Sequence, residues 1–156
     1  MKRTTNAFGQ GRDRQRGVTL IELMIVVVIM AIIASVAYPS YNNFIVKSKR
    51  TAAKTIIMRI ADRQEQFFAD NKQYAADLTD LGFAANPFAV NQNGEVTDVA
   101  ADDRIYLLGL ANTSATTYTI GAIPQLSMIA GDADCGIMWM THTGDKGNSG
   151  TSTDCW

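Results

Sequence analysis

The sequence predicts an α+β fold. A long N-terminal helix, its first half embedded in a membrane, packs its second half on a small antiparallel β-sheet, and a disulfide-bounded loop closes the chain. Three observations predict it. Residues 18–38 form an apolar run with one acid, Glu22, inside it. Residues 40–74 carry apolar side chains at three- and four-residue steps. Residues 104–142 hold three strand-like segments, and the two cysteines, Cys135 and Cys155, fall in and beyond the last of them.

The apolar run comes first. Between residues 23 and 37 the only polar side chain is Ser35. With the apolar residues ahead of Leu23 the run reaches roughly 20 residues, about 30 Å as a helix, which is enough to cross a bilayer. Glu22 is the exception. An ionised carboxylate in hydrocarbon costs on the order of 3 kcal/mol or more unless it is paired, so it needs a cation. A cut after Gly17 would create one, the α-amine of Val18, four residues before Glu22 and on the same helix face. The amine could meet its own Glu22 or that of a neighbouring copy. An ordinary secretory signal is a second reading, with Ser35-Val36-Ala37 as a small-x-small cleavage site. The length of the run and the presence of Glu22 oppose it. A plain uncleaved anchor is a third, and it leaves Glu22 without a role.

The chain therefore divides into a leader (1–17), an apolar helix (18–39) and a head (40–156). About 115 residues beyond the apolar helix suit one small domain. The formal net charge is −1, and the leader holds Lys2, Arg3, Arg12, Arg14 and Arg16 against Asp13, so the remaining side chains carry −5. That balance does not suggest a dedicated nucleic-acid binder. The basic leader favours a cytoplasmic N-terminus. Lys47, Lys49, Arg50 and Lys54 lie close beyond the other end of the span, so charge alone does not orient it. The cysteine pair decides, because it reads as a disulfide and belongs on the oxidising, periplasmic side. Closing a loop of about 20 residues contributes on the order of 3 kcal/mol in the chain-entropy account. Two free thiols in a cytosolic protein are the alternative.

Pro39 follows the run. It lacks an amide donor and its ring conflicts with the carbonyl four residues back, which predicts a kink or a loosened turn within a helix that continues. Beyond it, Ile45, Ala52, Ala53, Ile56, Ile57, Ile60, Ala61, Phe67 and Phe68 make the apolar stripe. Lys47, Lys54, Arg59, Asp62, Arg63 and Glu65 fill much of the other side. Residues 84–103 read as a polar connector over the sheet edge, with turn signals at Asn86-Pro87 and Asn93-Gly94. Strands are predicted at 104–110, at 116–123 with Tyr118, Ile120 and Ala122 on one face, and at 134–142. In the last, Met138 and Met140 share one face and Trp139 and Thr141 the other. The linker between the last two strands is expected to shelter Met128 and Ile129. Three or four strands are expected in all.

The basic leader, Gly17, then Val18-Thr19-Leu20-Ile21-Glu22 and the apolar run resemble the class III signal of type IV pilins and pseudopilins. The resemblance implies that a prepilin peptidase cuts between Gly17 and Val18 and methylates the new amine on Val18. It implies that Glu22 registers each subunit against a neighbour and that the helix unwinds locally near Pro39. Val18 stands where Phe or Met is usual, and Ala31 where many members have glycine. Residues 62–83 more specifically resemble PilE-type minor pilins and the pilins of DNA-uptake systems. The shared features are Gln64-Glu65-Gln66-Phe67-Phe68, Asn71, Tyr74 and the Leu78-x-x-Leu81-Gly82 turn. Cys135-Gly136 and the terminal Cys155-Trp156 match the family's disulfide-bounded loop.

Residues that could carry catalysis are sparse. His142 is the only histidine, and two cysteines with one histidine fit no common zinc spacing. Asp132, Asp134, Asp145 and Asp154 crowd the C-terminal region, where oxygen-rich loops could suit calcium, but their spacing is not that of an EF-hand. The expectation is no enzyme, no metal and no cofactor. Lys47, Lys49, Arg50 and Lys54 could meet lipid headgroups, acidic neighbours or DNA. The expected function is structural: a minor subunit of a type IV pilus. It is held in the bacterial inner membrane, then moved by the assembly platform into an extracellular filament with other pilins, where it serves twitching and adhesion. A DNA-uptake pilin, a type II secretion pseudopilin and a membrane-anchored periplasmic binding module are the alternatives.

Overall fold

The computed structural model describes residues 17–156; the charged leader, residues 1–16, lies outside the described residues. The chain divides into two compact units, one ending at Ser40 and the other spanning Tyr41–Trp156. Helix α1 (Leu20–Asn71) contributes to both and runs through Pro39 without interruption. In the first unit every described side chain is exposed, as expected of a helix whose apolar surface is covered by something other than its own chain.

The second unit, the head, holds one antiparallel sheet. Its strands are β1 (Phe88–Asn91), β2 (Val96–Thr97), β3 (Arg104–Ala111), β4 (Thr119–Pro124), β5 (Met138–Thr141) and β6 (Lys146–Asn148), with the short helix α2 (Ser127–Gly131) between β4 and β5. Their order is β2-β1-β3-β4-β5-β6. The expected three or four strands become six. The connector at residues 84–103 is itself a hairpin, with Asn93-Gly94 in its turn and the Gly94 amide donating to the Asn91 carbonyl. The Gly-rich tail supplies β6, which pairs with β5. Both edge strands are two to three residues long, and runs that short give no period for a sequence to reveal.

Ala53, Ile56, Ile57 and Ile60 of α1 pack on Phe88, Val90, Tyr106, Leu108, Ile120, Ala122, Met138 and Met140 of the sheet. The predicted faces of β4 and β5 hold: Tyr118, Ile120, Ala122, Met138 and Met140 are buried, and Trp139 and Thr141 are half-buried. The linker prediction holds for only one side chain, since Met128 is buried and Ile129 is exposed.

α1 ends at Asn71 because Lys72 takes a left-handed conformation, φ +60°. The Lys72 amide donates to the Phe68 carbonyl, and its ammonium to the Ala69 carbonyl, 2.8 Å. Two of the carbonyls left over at the helix end are thus satisfied. The chain then folds back and is held by Gln64, which is fully buried. Its side chain donates to the Ala75 carbonyl (3.0 Å) and accepts from the Ala75 amide (2.9 Å). This pair of bonds, inside the segment 62–83, fixes the turn that brings Leu78, Leu81 and Phe83 into the core.

Candidate functional site

Two places in the chain combine polar chemistry with structural consequence. The first is the amino end of α1. Gly17, Val18 and Thr19 precede the helix and are exposed. Thr19 is the N-cap and Glu22 stands three residues into the motif. The Glu22 amide donates to Thr19 Oγ1 (3.3 Å), while the Thr19 amide and hydroxyl both donate to Glu22 Oε2 (3.2 Å each). This is a capping box: each side chain satisfies the other residue's backbone amide. Thr19-x-x-Glu22 is visible in the sequence as the signature of such a cap. Glu22 therefore has a partner before any amine is created at Val18, a role the sequence reading did not assign. Among the described residues nothing lies within 4 Å of where a Cβ at Gly17 would stand. The fold of the described chain places no demand for glycine there.

The second is a buried polar cluster beneath α1. Arg50 was expected on an exposed basic face with Lys47, Lys49 and Lys54. Instead it is buried and forms an ion pair with Asp132, which follows α2 and is itself buried. Arg50 Nε donates to the Asp132 carboxylate at 3.1 and 3.2 Å, and Nη2 donates to the same carboxylate. Tyr106 of β3 donates its hydroxyl to the other side of that carboxylate. Arg50 Nη1 reaches the Asp154 carbonyl in the disulfide loop, 3.1 Å. The hydrogen bond with Asp132 raises the Arg50 pKa against the opposing effect of burial, and burial pushes the Tyr106 hydroxyl well above the ordinary tyrosine range. One helix side chain thereby joins α1 to α2, β3 and the C-terminal loop. The reason for burial lies in spacing. Val46, Arg50, Ala53, Ile57, Ile60 and Gln64 recur at alternating steps of four and three, so the two polar residues occupy core-facing positions. A polar residue on such a stripe is a sequence signal for a buried partner, and both here have one.

The loop that Arg50 touches is closed by Cys135–Cys155, as expected. The Gly150 amide donates to the Cys135 carbonyl, 3.0 Å, and a Cβ at Gly150 would run into the Asp134 carbonyl. Glycine is required there for the tail to lie against the first cysteine. Trp156 seats its indole N–H on the Gly147 carbonyl, 3.0 Å, and the Lys146 ammonium lies 5.4 Å from its ring.

The remaining candidates are dispersed. Asp132 is occupied by Arg50 and Tyr106, Asp154 pairs with Lys47 (3.0 Å, both exposed) and Asp145 accepts from Thr143. Among the described residues no three His, Cys, Asp or Glu side chains gather to hold a metal. The hydrogen bond from Lys47 draws the Asp154 carboxyl below its usual range, and burial lowers Lys54, with Arg50 adding repulsion. His142 is half-buried, its ring 6.3 Å from Tyr118 and 6.4 Å from Tyr74.

Comparison with known proteins agrees with this architecture. The family model described as "Type IV minor pilin ComP, DNA uptake sequence receptor" matches residues 39–139, and the "Prokaryotic N-terminal methylation motif" matches residues 12–38. The type IV major fimbrial protein FimA of Dichelobacter nodosus is 33% identical over 129 residues, covering 70% of this chain and 73% of that protein. The type IV major pilin protein PilA of Myxococcus xanthus is 40% identical over 90 residues, 58% of this chain; the match spans only 40% of PilA's length. The type II secretion system core protein G of Pectobacterium carotovorum is 34% identical over 80 residues, about half of each chain. The first two carry the names of fimbrial and pilin proteins. An apolar helix leading into a disulfide-closed α+β head, matched over its greater part by a pilin family model, belongs to the type IV pilins, and this chain is a member of that family.

Proposed function

We propose that the chain is a minor subunit of a type IV pilus. The single observation that carries this reading is the match of a minor-pilin family model across residues 39–139. The physical support is the exposed apolar surface of residues 18–38, which requires lipid before assembly and other pilin subunits after it. Moving such a helix from lipid to the apolar centre of a bundle is nearly neutral in hydrophobic terms, so packing and charge pairing set the register. In this reading the leader is cytoplasmic and the head periplasmic. A prepilin peptidase cuts between Gly17 and Val18, the Val18 amine is methylated, and the assembly platform passes the subunit to its major and minor partners. Pro39 marks the step at which α1 loosens as it packs. Twitching and adhesion are properties of the filament, and no residue here is assigned to either.

The test is to shear filaments from the producing cell, sequence the N-terminus of this chain and measure its share of total pilin. A start at Val18 and a share of a few per cent are expected. A leader still attached, or this chain as the bulk component, overturns the reading. Gly17→Ala abolishes maturation while leaving the head fold unchanged, because among the described residues nothing crowds that position; a normal Val18 terminus in this variant would refute the peptidase assignment. Glu22→Gln keeps a side chain able to cap Thr19 but lacks the charge, so its incorporation falls as far as that of Glu22→Ala. If Gln restores normal incorporation, Glu22 acts through the cap alone and the registry role is lost.

The family model also favours a second reading, since its description names a DNA uptake sequence receptor. Lys146 beside Trp156, with Lys54 nearby, supplies cations and an aromatic surface of the kind nucleic acids use. The discriminating measurement is binding of the protein to duplex DNA at two salt concentrations. A strong loss of affinity with salt supports DNA contact; no binding at low salt removes it.

A further inference from the structure

The outer face of the sheet, turned away from α1, carries a cleft that no described side chain fills. The inward side chains of β3 and β4 are Tyr106, Leu108, Ile120 and Ala122, so Leu107, Gly109, Gly121 and Ile123 face outward. The register sets Gly109 opposite Gly121 and Leu107 opposite Ile123. Trp139 of β5 stands next to Gly121 in the same row, but its ring lies over Gly147 on the far side, where a Cβ would meet it at 2.4 Å. Gly121 is thereby left bare: among the described residues nothing lies within 4 Å of where its Cβ would stand. Facing glycines inside two strands weaken a sheet, and they mark a place where something else approaches the backbone closely. The space above them is a cleft of about 350 Å³, within the range of small-molecule sites, roughly 300–1,000 Å³. Pro87, Leu107 and Ile123 wall it, and no charged side chain is among its lining residues.

One polar group is aimed at this floor. Asn86 Nδ2 donates to Asp77 Oδ2, 3.2 Å. Asp77 is itself held by the amide and hydroxyl of Thr79, 2.8 and 2.7 Å. A carboxylate only accepts, so the donor end of the Asn86 amide must face Asp77 and its oxygen must face the other way. That oxygen, Asn86 Oδ1, lies 3.8 Å from where a Cβ of Gly109 would stand, and no described residue donates to it.

We propose that this cleft binds an uncharged sugar ring. The C–H face of the ring lies on the glycine floor between Pro87 and Ile123, and a ring hydroxyl donates to Asn86 Oδ1. The lining disfavours other occupants. An anion, whether a nucleic-acid phosphate or a lipid headgroup, would meet an acceptor and no opposite charge. A cation would find one neutral acceptor and no carboxylate in the lining. An acyl chain, or the apolar side chains of another protein, would cover Asn86 Oδ1 without supplying a donor and leave it unsatisfied. A sugar presents an apolar face and hydroxyl donors together. This assignment uses only the head and does not depend on the pilus-subunit reading.

The test titrates the full chain, held in a detergent without a sugar headgroup, while its backbone amides are followed by NMR. The probes are the methyl glycosides of glucose, galactose and N-acetylglucosamine, with glucuronate as the charged comparison. At least one glycoside is expected to shift the Gly109 and Gly121 amides saturably, with a Kd of about 1 mM, and glucuronate is expected to bind about tenfold more weakly. Gly121→Val fills the floor at an uncrowded position with a residue that suits a strand, and it is expected to abolish the shifts while the rest of the spectrum is kept. Asn86→Ala is expected to weaken binding about tenfold. The wild-type shift map stands whether or not either variant folds. No saturable shift from any glycoside at about 50 mM, shifts confined to other parts of the head, binding retained in folded Gly121→Val, or glucuronate bound equally well each overturns the site. Gly109 and Gly121 amides that instead follow the detergent or the protein concentration mark an acyl chain or another copy as the occupant, and overturn the sugar.

Discussion

Arg50→Ala lowers the unfolding free energy of the protein by about 3–5 kcal/mol, the cost of leaving one member of a buried ion pair without its partner. The partner is Asp132, fully enclosed and held from its other side by Tyr106. Without the guanidinium, the carboxylate must stay charged in an apolar surrounding, take up a proton, or open the structure to water, and each is unfavourable. Urea unfolding followed by the two tryptophans measures the loss. The mechanism has its own control. Replacing the cluster as a unit, Arg50→Met with Asp132→Leu and Tyr106→Phe, recovers most of the stability, since an apolar set of similar volume substitutes well for a buried pair. If Arg50→Ala costs less than about 1 kcal/mol, as an exposed pair would, the buried-cluster account fails.

Cys155→Ser lowers stability by about 3 kcal/mol on the loop-closure account for a crosslink spanning 20 residues. It also frees the chain beyond His142 for proteolysis. Limited digestion followed by mass analysis reads the second effect directly: cuts between residues 143 and 156 are expected in the variant and not in the wild type. Equal protease resistance would show that β6 and Trp156 hold the tail without the crosslink. This loss does not simply add to that of Arg50→Ala. Arg50 donates to the Asp154 carbonyl, next to Cys155, so the two sites share a neighbour and their double variant should lose less than the sum.

The sequence made the apolar elements legible and left the polar ones obscure. α1, the inward faces of β4 and β5, and the disulfide follow from periodicity and from the placement of two cysteines, each a signal with a length or spacing of its own. β1, β2 and β6 do not, because strands of two to four residues hold too few alternations and are fixed by pairing, β1 with β3, β2 with β1 and β6 with β5, rather than by their own pattern. Arg50 was misplaced for a related reason. Its neighbours Lys47, Lys49 and Lys54 suggested a charged surface, and only its position on the Val46–Gln64 stripe marks it as inward. Asp132 and Tyr106, its partners, lie 82 and 56 positions away in sequence, and nothing local announces them. At the amino end Thr19-x-x-Glu22 carries the capping-box signature, and the carboxylate whose charge calls for a cation in lipid is also a hydrogen-bond acceptor.

In the pilus-subunit reading proposed above, the Arg50 cluster bears on how the head would carry a load along α1. Close-packed apolar side chains between a helix and a sheet already hold a register, but they are non-directional, and a polar contact adds a directional one. A guanidinium gripping one enclosed carboxylate and one loop carbonyl has a single seat. Tension in α1 would thus reach the sheet through a fixed peg, and the disulfide loop would be the far end of that anchorage.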